Sequence, residues 1–443
     1  MTWRGVCESG PFKRRVAIGD ALLFEGDCLE VLKALPAESV HCVVTSPAYW
    51  GLRDYGTATW EGGDPDCQHQ KGRPGSDRAD GIVGMVTHRN RDGAGAFSGD
   101  CKCGARRIDL QLGLESTPQE YVDRMVTVFR EVRRVLREDG TCWINLGDSY
   151  CGSWGNAGNR PELDKKGGTQ RQKNGEYFER GGWDSRRDVP PNQKITGLKP
   201  KDLVGIPWRV AFALQADGWY LRSEITWCKK APMPESVTDR PTSATEKIFL
   251  LTKSESYYYD ADAVRNPPSE AMLREVAEGY NGHAVKMFED AGAQNASDVK
   301  SRIIENARKR VDKQRGHGRR HAGFNDRWDG MTKEEQMACG SNMRNYWLIG
   351  PSPFPEAHFA TFPLEIPMRC ILAGCPTGGT VLDPFAGSST TALAAVKHER
   401  KCIGIELNPD YLPLRAEAIE NAQRQTKLFD EPQPKQIQEE ISL

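Results

Sequence analysis

The segment 381–406 places the strongest constraint on what this chain can fold into. An apolar run at 381–383 predicts a buried strand, small residues at 384–389 predict a tight turn, and a helix begins near Thr390. The run 402–406 predicts a second strand that ends in Glu406. Because strand, turn, helix and strand in this order build parallel sheets, we predict an α/β protein with a ligand at the carboxyl ends of its strands.

The turn also limits the kind of ligand. It has no phosphate-loop lysine, which makes triphosphate binding unexpected, and it lacks the Gly-x-Gly-x-x-Gly pattern of nicotinamide enzymes. An acid at the end of the second strand can bind ribose hydroxyls. We therefore expect a ligand that carries ribose, with Glu406 beside it.

A second motif follows the apolar run 40–44, which predicts another buried strand. Pro47 ends this strand and puts Ser46 and Tyr49 at its carboxyl end. Ser46 and the Pro47 carbonyl can accept hydrogen bonds from an exocyclic amine, and Tyr49 can stack on a planar ring. Taken alone, the stretch is more often a packed turn at a strand end with two aromatic residues.

Other polar residues also stand at predicted strand ends. Asp27 lies between a strand at 21–27 and a helix at 28–35, where it can cap the helix, face the amino group of a ligand, or do both. A capping box at 117–120 starts a helix that continues to about residue 137. Further elements are predicted as a helix at 201–216 and strands at 141–146, 219–227, 247–252 and 257–260.

Two short pairs of metal-binding residues lie in the segment 51–113, which is rich in Gly, Asp and Arg and shows no periodicity. Four soft or borderline ligands of this kind suit tetrahedral zinc: Cys67, His69, Cys101 and Cys103. We expect a structural zinc ion, although unrelated surface thiols are the alternative and the spacing is tighter than in zinc ribbons. The metal would stabilise a segment that cannot bury enough apolar surface by itself.

The charge balance restricts how the chain can bind a polyanion. The net charge is only -1, so a nucleic-acid surface must come from local clustering of basic residues. Such a cluster lies at 300–327, where the alternative to phosphate contact is a solvated helix face. The residues that we expect to contact DNA are Arg308, Lys309, Arg310, Arg315, Arg319 and Arg320.

Cysteine usage and hydropathy indicate the compartment. The 13 cysteines are an odd number, and most stand singly in apolar contexts, which is typical of free thiols in a reducing cytoplasm. The sequence shows neither a signal peptide nor an apolar run long enough to span a bilayer. We expect a cytoplasmic protein, and the family resemblance described below implies a bacterial or phage origin and association with the nucleoid.

The motif at 45–50, followed late in the chain by 383–391 and 403–409, resembles the amino-group DNA methyltransferases of the β order, of phage or restriction–modification type. In that order the catalytic motif precedes the target-recognition region, and the motifs for S-adenosylmethionine (AdoMet) come last. The stretches 145–150, 217–236 and 358–363 are also similar to this family, and the resemblance covers most of 20–262 and 344–420. It implies an AdoMet-dependent, Rossmann-like methyltransferase core that is circularly permuted.

The resemblance implies four regions. Residues 16–262 form the catalytic half, with a zinc-binding insertion at 56–113 and a long flexible loop at 151–198. Residues 263–343 form the target-recognition region, 344–423 the AdoMet-binding half, and 424–443 a disordered tail. Gln425, Leu428 and Phe429 of the tail resemble peptides that dock on bacterial sliding clamps, but an ordinary tail is the better explanation.

The resemblance also implies roles for individual residues. Seven would bind AdoMet: Asp27 near the adenine amine, Glu406 at the ribose, and Phe362, Pro363, Asp383, Phe385 and Gly387 at the methionine end. Ser46, Pro47 and Tyr49 would hold the target base. Two positions depart from the family, with Ser389 in place of the usual glycine and Ala48 in place of a second proline.

The activity implied is methyl transfer from AdoMet to the exocyclic amine of a base flipped out of double-stranded DNA. In the family, serine at the position of Ser46 favours N4 of cytosine and aspartate favours N6 of adenine. We therefore expect N4-cytosine methylation, with N6-adenine methylation as the alternative. A catalytically inactive DNA-binding protein and an RNA methyltransferase remain as alternatives of other kinds.

Overall fold

The computed structural model describes residues 10–51, 57–64, 66–67, 101, 103–151, 198–199, 201–232, 234–268, 340–350, 362–412 and 414–430. The chain divides into two compact units: Met1–Tyr259 with Asn345–Leu443, and Asp260–Arg344. The second unit has nearly the bounds of the predicted target-recognition region, 263–343, and that role stays a prediction. Within it, Asn266 and Ser341 form an isolated antiparallel bridge.

The described part of the first unit contains eleven strands and six helices. The strands are β1 Arg14–Ile18, β2 Ala21–Glu25, β3 Val40–Thr45, β4 Thr59–Glu61, β5 Arg106–Ile108, β6 Leu136–Leu146, β7 Tyr220–Lys229, β8 Thr245–Thr252, β9 Tyr346–Ile349, β10 Thr380–Asp383 and β11 Lys401–Glu406. The helices are α1 Cys28–Ala34, α2 Pro118–Val135, α3 Ile206–Ala216, α4 Glu365–Gly374, α5 Thr390–Lys397 and α6 Ala416–Asp430.

Nine of these strands form one mixed sheet in the order β1-β2-β11-β10-β3-β6-β8-β7-β9, while β4 and β5 form a separate ribbon. Five neighbouring strands of this sheet are parallel: β2, β11, β10, β3 and β6. Strand β8 runs antiparallel to both of its neighbours. The carboxyl ends of the parallel strands therefore meet at one edge of the sheet, which confirms the predicted α/β class.

Helices cover both faces of this sheet. Alternate residues of β6 point in opposite directions, so Cys142 and Ile144 join the apolar core built with α1, α2 and α3. Trp143 points to the other face, where Gly374 of α4 approaches so closely that a Cβ there would lie 2.8 Å from the indole nitrogen. None of the described helices has the length and apolar character that crossing a bilayer requires.

Local signals explain where two helices begin. Thr117 caps α2 as predicted, with its Oγ1 accepting the N–H of Glu120 at 3.1 Å, while the Glu120 carboxylate accepts the N–H of Ser116. The helix predicted at 201–216 begins later, at Ile206, because the Asp148 carboxylate accepts the N–H groups of Gly205 and Ile206 at 3.0 Å each. A half-buried acid just after β6 therefore fixes the start of α3.

Several predicted boundaries were wrong. The run 257–260 is not a strand, although its tyrosines have high strand propensity, because no strand of the described sheet pairs with it. The tail predicted from residue 424 is helical as far as Asp430, since α6 buries Ile419 and Ala422 on its inner face. The prediction missed β1, β9 and α4, and the loop 152–197 lies outside the described residues.

Ser389 carries backbone strain at the start of α5. Its φ is +64°, in the left-handed region that favours glycine, and its buried Oγ has no hydrogen-bond partner among the described residues. Replacing it with glycine removes both costs, at the expense of a more flexible unfolded chain.

We therefore expect Ser389→Gly to raise the free energy of unfolding by about 1 kcal/mol, measured by urea denaturation. Ser388→Gly is the matched control, since Ser388 lies outside the left-handed region and shares a 3.2 Å hydrogen bond with Thr390 Oγ1. The control should lower stability, and a Ser389→Gly protein no more stable than the parent would contradict the strain assignment.

Candidate active site

A cleft opens where β2, β3, β10 and β11 end. Its empty volume is about 850 Å³, which includes space open to solvent. Five of the seven residues predicted to bind AdoMet line it: Asp27, Phe362, Phe385, Gly387 and Glu406. Ser46 and Ala48 of the 45–50 motif line the same cleft, so the structure brings the two motifs together.

Glu406 holds the turn after β10 from the neighbouring strand. Its Oε2 accepts the N–H of Gly387 at 2.8 Å, and its Oε1 accepts the N–H of Asn408 at 2.8 Å. Burial raises the pKa of Glu406 to about 7, although these two N–H bonds lower it. Each carboxylate oxygen has a second lone pair, which leaves Glu406 able to accept hydroxyl donors from a ligand.

Asp383 is not among the residues that line the cleft, and its predicted position at the methionine end stays a prediction. It is only 1% exposed and lies beneath the turn, where it accepts three hydrogen bonds. Thr45 and Thr391 donate from their hydroxyls at 2.6 Å each, and the Phe385 N–H donates at 3.1 Å. Burial raises the pKa of Asp383 to about 6, against the lowering effect of these donors.

Two other predicted residues also have structural roles. Asp27 caps α1 by accepting the N–H of Glu30 at 3.1 Å and lines the cleft as well, so both of its predicted positions are compatible. Pro363 is buried outside the cleft wall, and its carbonyl accepts the N–H of Ile366 in the first turn of α4. Pro363 therefore positions Phe362 beside the cleft.

The Tyr49 hydroxyl lies in a charged hydrogen-bond network. It donates to Glu246 Oε2 at 2.6 Å and accepts from Asn145 Nδ2 at 2.7 Å. Asn145 also donates to Glu246 at 2.9 Å, and the Lys229 ammonium lies 2.6 Å from the other oxygen of Glu246. Residues from β6, β7 and β8 thus fix the phenol end of Tyr49.

The backbone around Tyr49 is held from two further sides. The Tyr121 hydroxyl donates to the Ala48 carbonyl at 2.9 Å, and the Trp50 indole donates to the Glu115 carbonyl at 2.9 Å. By contrast, Ser46 Oγ has only long contacts, at 3.4 Å, to Tyr49 and Asn145. Its hydroxyl is therefore available to a ligand in the cleft.

Sequence reasoning missed Glu246 and Lys229. Neither belongs to a motif, and they reach Tyr49 only because β8 pairs with both β6 and β7. The predicted strands stopped short of both residues: Lys229 lies after the predicted strand 219–227 and Glu246 before 247–252, whereas β7 and β8 include them.

Comparison with known proteins shows the family. A sequence profile of N6/N4 methyltransferases, described as DNA methylase, matches residues 40–417. The chain belongs to this DNA methylase family. The resemblance seen in the sequence motifs is thereby confirmed, and AdoMet-dependent methylation of DNA follows from the family.

Two curated relatives match this methylase over most of their length. The type II methyltransferase M.Cfr9I of Citrobacter freundii is 36% identical over 403 residues, which cover 91% of this chain and 89% of that protein. The type II methyltransferase M.SmaI of Serratia marcescens is 35% identical over 394 residues and 89% of each chain. A solved PvuII DNA methyltransferase, described as cytosine-N4-specific, is 15% identical, covers 95% of each chain and has a TM-score of 0.46.

Three of the four predicted zinc ligands lie together in the methylase. The sulfurs of Cys67, Cys101 and Cys103 are all within 4.8 Å of one another, whereas His69 lies outside the described residues. Desolvation raises the pKa of Cys103, but hydrogen bonds from the Ala105 and Asp64 backbone and from the two neighbouring thiols lower it to about 6.

The predicted DNA contacts and the predicted sliding-clamp peptide fall wholly or partly outside the described residues. The six basic residues Arg308, Lys309, Arg310, Arg315, Arg319 and Arg320 lie outside the described residues. Gln425 is exposed on α6, but the side chains at 426–430 are outside the described part, and no observation supports sliding-clamp binding.

Burial raises the pKa of the core cysteines, so these are protonated thiols at neutral pH: Cys42, Cys142, Cys370 and Cys402.

Glu406 should make AdoMet binding by this methylase depend on pH. With a pKa of about 7 it is protonated below neutral pH, whereas two ribose hydroxyl donors need the unprotonated carboxylate as acceptor. We expect the Kd for AdoMet to fall about tenfold between pH 6 and pH 8, as the ionised fraction rises, by isothermal titration calorimetry.

The control is Glu406→Gln, which should bind more weakly and without this dependence. Because titration of the AdoMet amine affects both proteins equally, the ratio of the two Kd values isolates Glu406. An unchanged ratio across this pH range would exclude Glu406 as the ribose acceptor.

Proposed function

We propose that this methylase transfers a methyl group from AdoMet to the exocyclic N4 amine of a cytosine flipped out of duplex DNA. The observation that carries the proposal is the single cleft shared by Ser46 of the 45–50 motif and by Gly387 and Glu406 of the 383–406 region. A methyl donor and an acceptor amine must meet within about 3.5 Å, and one cleft lined by both motifs allows this.

The strand order supports a circularly permuted methyltransferase core. The strands β10 and β11 are among the last in the chain, yet they lie in the middle of the sheet between β2 and β3. Their turns supply the AdoMet residues, while β3, earlier in the chain, supplies the residues for the base. The catalytic motif thus precedes the AdoMet motifs in sequence, although the two adjoin in space.

For AdoMet, the cleft offers polar groups at one side and aromatic rings at another. Glu406 would accept the ribose hydroxyls, and Asp27 would accept the adenine amine with the oxygen that does not cap α1. Phe362 and Phe385 would pack along the methionine chain. Bound AdoMet supplies an electrophilic methyl group on a sulfonium, and Asp383 acts from below by fixing the turn.

For the base, the residues of the 45–50 motif would act together. The exocyclic nitrogen is a weak nucleophile because its lone pair is delocalised into the ring. Its two N–H groups would donate to Ser46 Oγ and the Pro47 carbonyl, which favours a more pyramidal and more nucleophilic nitrogen. Tyr49 would stack on the flipped ring and offset part of the lost base stacking.

The network behind Tyr49 would keep its ring in the stacking position. Glu246 and Asn145 hold the hydroxyl, and Lys229 balances the charge of Glu246. None of these steps requires a covalent enzyme intermediate, which agrees with the raised pKa of the buried thiols.

Nucleoside mass spectrometry of unmethylated genomic DNA incubated with the protein and labelled AdoMet tests the proposal. We expect N4-methylcytosine, whereas N6-methyladenine would overturn the choice of base and keep the family. Labelled RNA with unlabelled DNA would favour the RNA methyltransferase alternative, and failure to bind AdoMet would favour an inactive DNA-binding protein.

Ser46→Ala should still bind AdoMet but lose turnover by about the 100-fold that one positioned hydrogen bond can contribute.

The position of the Tyr49 ring gives a second prediction. A Cβ at Gly147 would lie 2.5 Å from Tyr49 Cε2, so Gly147→Ala must displace the ring, while the backbone there accepts alanine. We expect kcat to fall by about 100-fold, as for other ångström-scale misplacements near a reacting group, with the KM for AdoMet nearly unchanged.

Gly350→Ala is the control for this substitution: its Cβ would come no closer than 3.9 Å to any described residue, and kcat should stay unaltered. Normal turnover in Gly147→Ala would mean that the Tyr49 ring position does not matter for methyl transfer.

A further inference from the structure

A cluster of three cysteines stands apart from the proposed methyl-transfer chemistry. It lies at one end of the ribbon formed by β4 and β5, where the sulfurs of Cys67 and Cys101 are 3.7 Å apart and Cys103 is within 4.8 Å of both. Zinc bound tetrahedrally at about 2.3 Å from each thiolate separates the sulfurs by about 3.8 Å. The spacing of the first pair therefore matches a shared tetrahedral ion.

The backbone presents these sulfurs from two short turns. The N–H of Cys67 donates to the Asp64 carbonyl at 3.1 Å, and the N–H of Cys101 donates to the Ala105 carbonyl at 2.6 Å. Gly104, with φ of +86°, closes the second turn by donating to the Cys101 carbonyl at 2.8 Å. The turn at 101–105 thus holds Cys101 and Cys103 so that both sulfurs lie within 4.8 Å of the Cys67 sulfur.

The cluster lies near the surface of the described part of the chain. Its three cysteines are half-exposed and are not joined by a disulfide there, and Ala105 is buried beside them. Three thiols cannot all be paired as disulfides with one another. Soft sulfur donors in a group of three favour zinc over magnesium or calcium, which prefer oxygen ligands.

We propose that Cys67, Cys101 and Cys103 bind a structural zinc ion that joins the two ends of the segment 68–100 and fixes the ribbon of β4 and β5. The three thiolates carry the proposal by themselves. A fourth ligand would complete the tetrahedron.

The ribbon connects this metal site to the cleft. Thr57 precedes β4, and Leu110, Gln111 and Leu112 follow β5, and all four line the cleft. Next in the chain, Gly113 accepts the N–H of Gly51 at 2.8 Å, close behind Tyr49. Loss of zinc should therefore loosen one wall of the AdoMet site without removing a group that takes part in methyl transfer.

Metal analysis of the full-length protein, purified without chelators, tests the proposal. Inductively coupled plasma mass spectrometry should find about one zinc per chain. Cys67→Ser, Cys101→Ser and Cys103→Ser should each lose most of it and melt at a lower temperature. Cys228→Ser is the matched control, because Cys228 is also free and half-exposed but lies in β7, outside the cluster, and it should retain the metal.

Wild-type protein gives a second measurement in case the variants do not fold. Exchange of the metal for Co²⁺ should produce sulfur-to-cobalt charge-transfer absorption and the intense visible bands of a tetrahedral site. Alkylation followed by peptide mass spectrometry should show these three thiols protected with metal bound and reactive after chelation.

Three results would overturn the zinc site: protein without bound metal that also fails to bind added Zn²⁺ or Co²⁺, a Cys67–Cys101 disulfide in the purified protein, or full zinc content in all three variants. Each of these readouts is independent of whether the protein methylates cytosine, adenine or RNA. The metal site and the proposed activity can therefore fail separately.

Discussion

The buried carboxylate of Asp383 is the interaction on which the geometry of the cleft depends. It receives hydroxyls from Thr45 at the end of β3 and Thr391 in α5, and the N–H of Phe385 in the turn between β10 and α5. Three separate chain segments are thus fixed to one acid at the centre of the sheet edge. Since a buried charge needs such donors, loss of any one would leave it uncompensated. The turn then directs the Gly387 N–H toward Glu406, and the cleft takes its shape from these two acids.

Sequence reasoning succeeded where structure is determined locally. Strand, turn and helix at 380–391 follow from adjacent residues, and so do the caps of α1 and α2. It failed where pairing across the sheet decides, as for Glu246, whose contact with Tyr49 spans 197 residues of sequence. The family resemblance assigned Asp383 to the methionine end of the cofactor, whereas its burial and its structural role beneath the turn become visible only in the fold.

Hydrogen bonds from neighbouring elements support the 45–50 motif. Membership of the DNA methylase family accounts for AdoMet and DNA, but not for which amine is methylated. The surroundings of the motif show how it is supported: Tyr121 holds its backbone, while Asn145, Glu246 and Lys229 hold the phenol of Tyr49. Alanine at position 48, where the family usually has a second proline, is compatible with a rigid loop because these hydrogen bonds supply the restraint that a proline ring would give.

The central position of β10 and β11 has a consequence for biosynthesis. The strands β2 and β3 leave the ribosome first, but their partners in the sheet lie more than 330 residues later, as in the pairing of Cys42 with Val381. Until that part emerges, the nascent chain has two strands with open hydrogen-bonding edges, which is a risk for aggregation. Contacts of such long sequence separation also slow folding. Premature termination would therefore remove the middle of the sheet, and the cell would be left with two halves that have nothing to pair with.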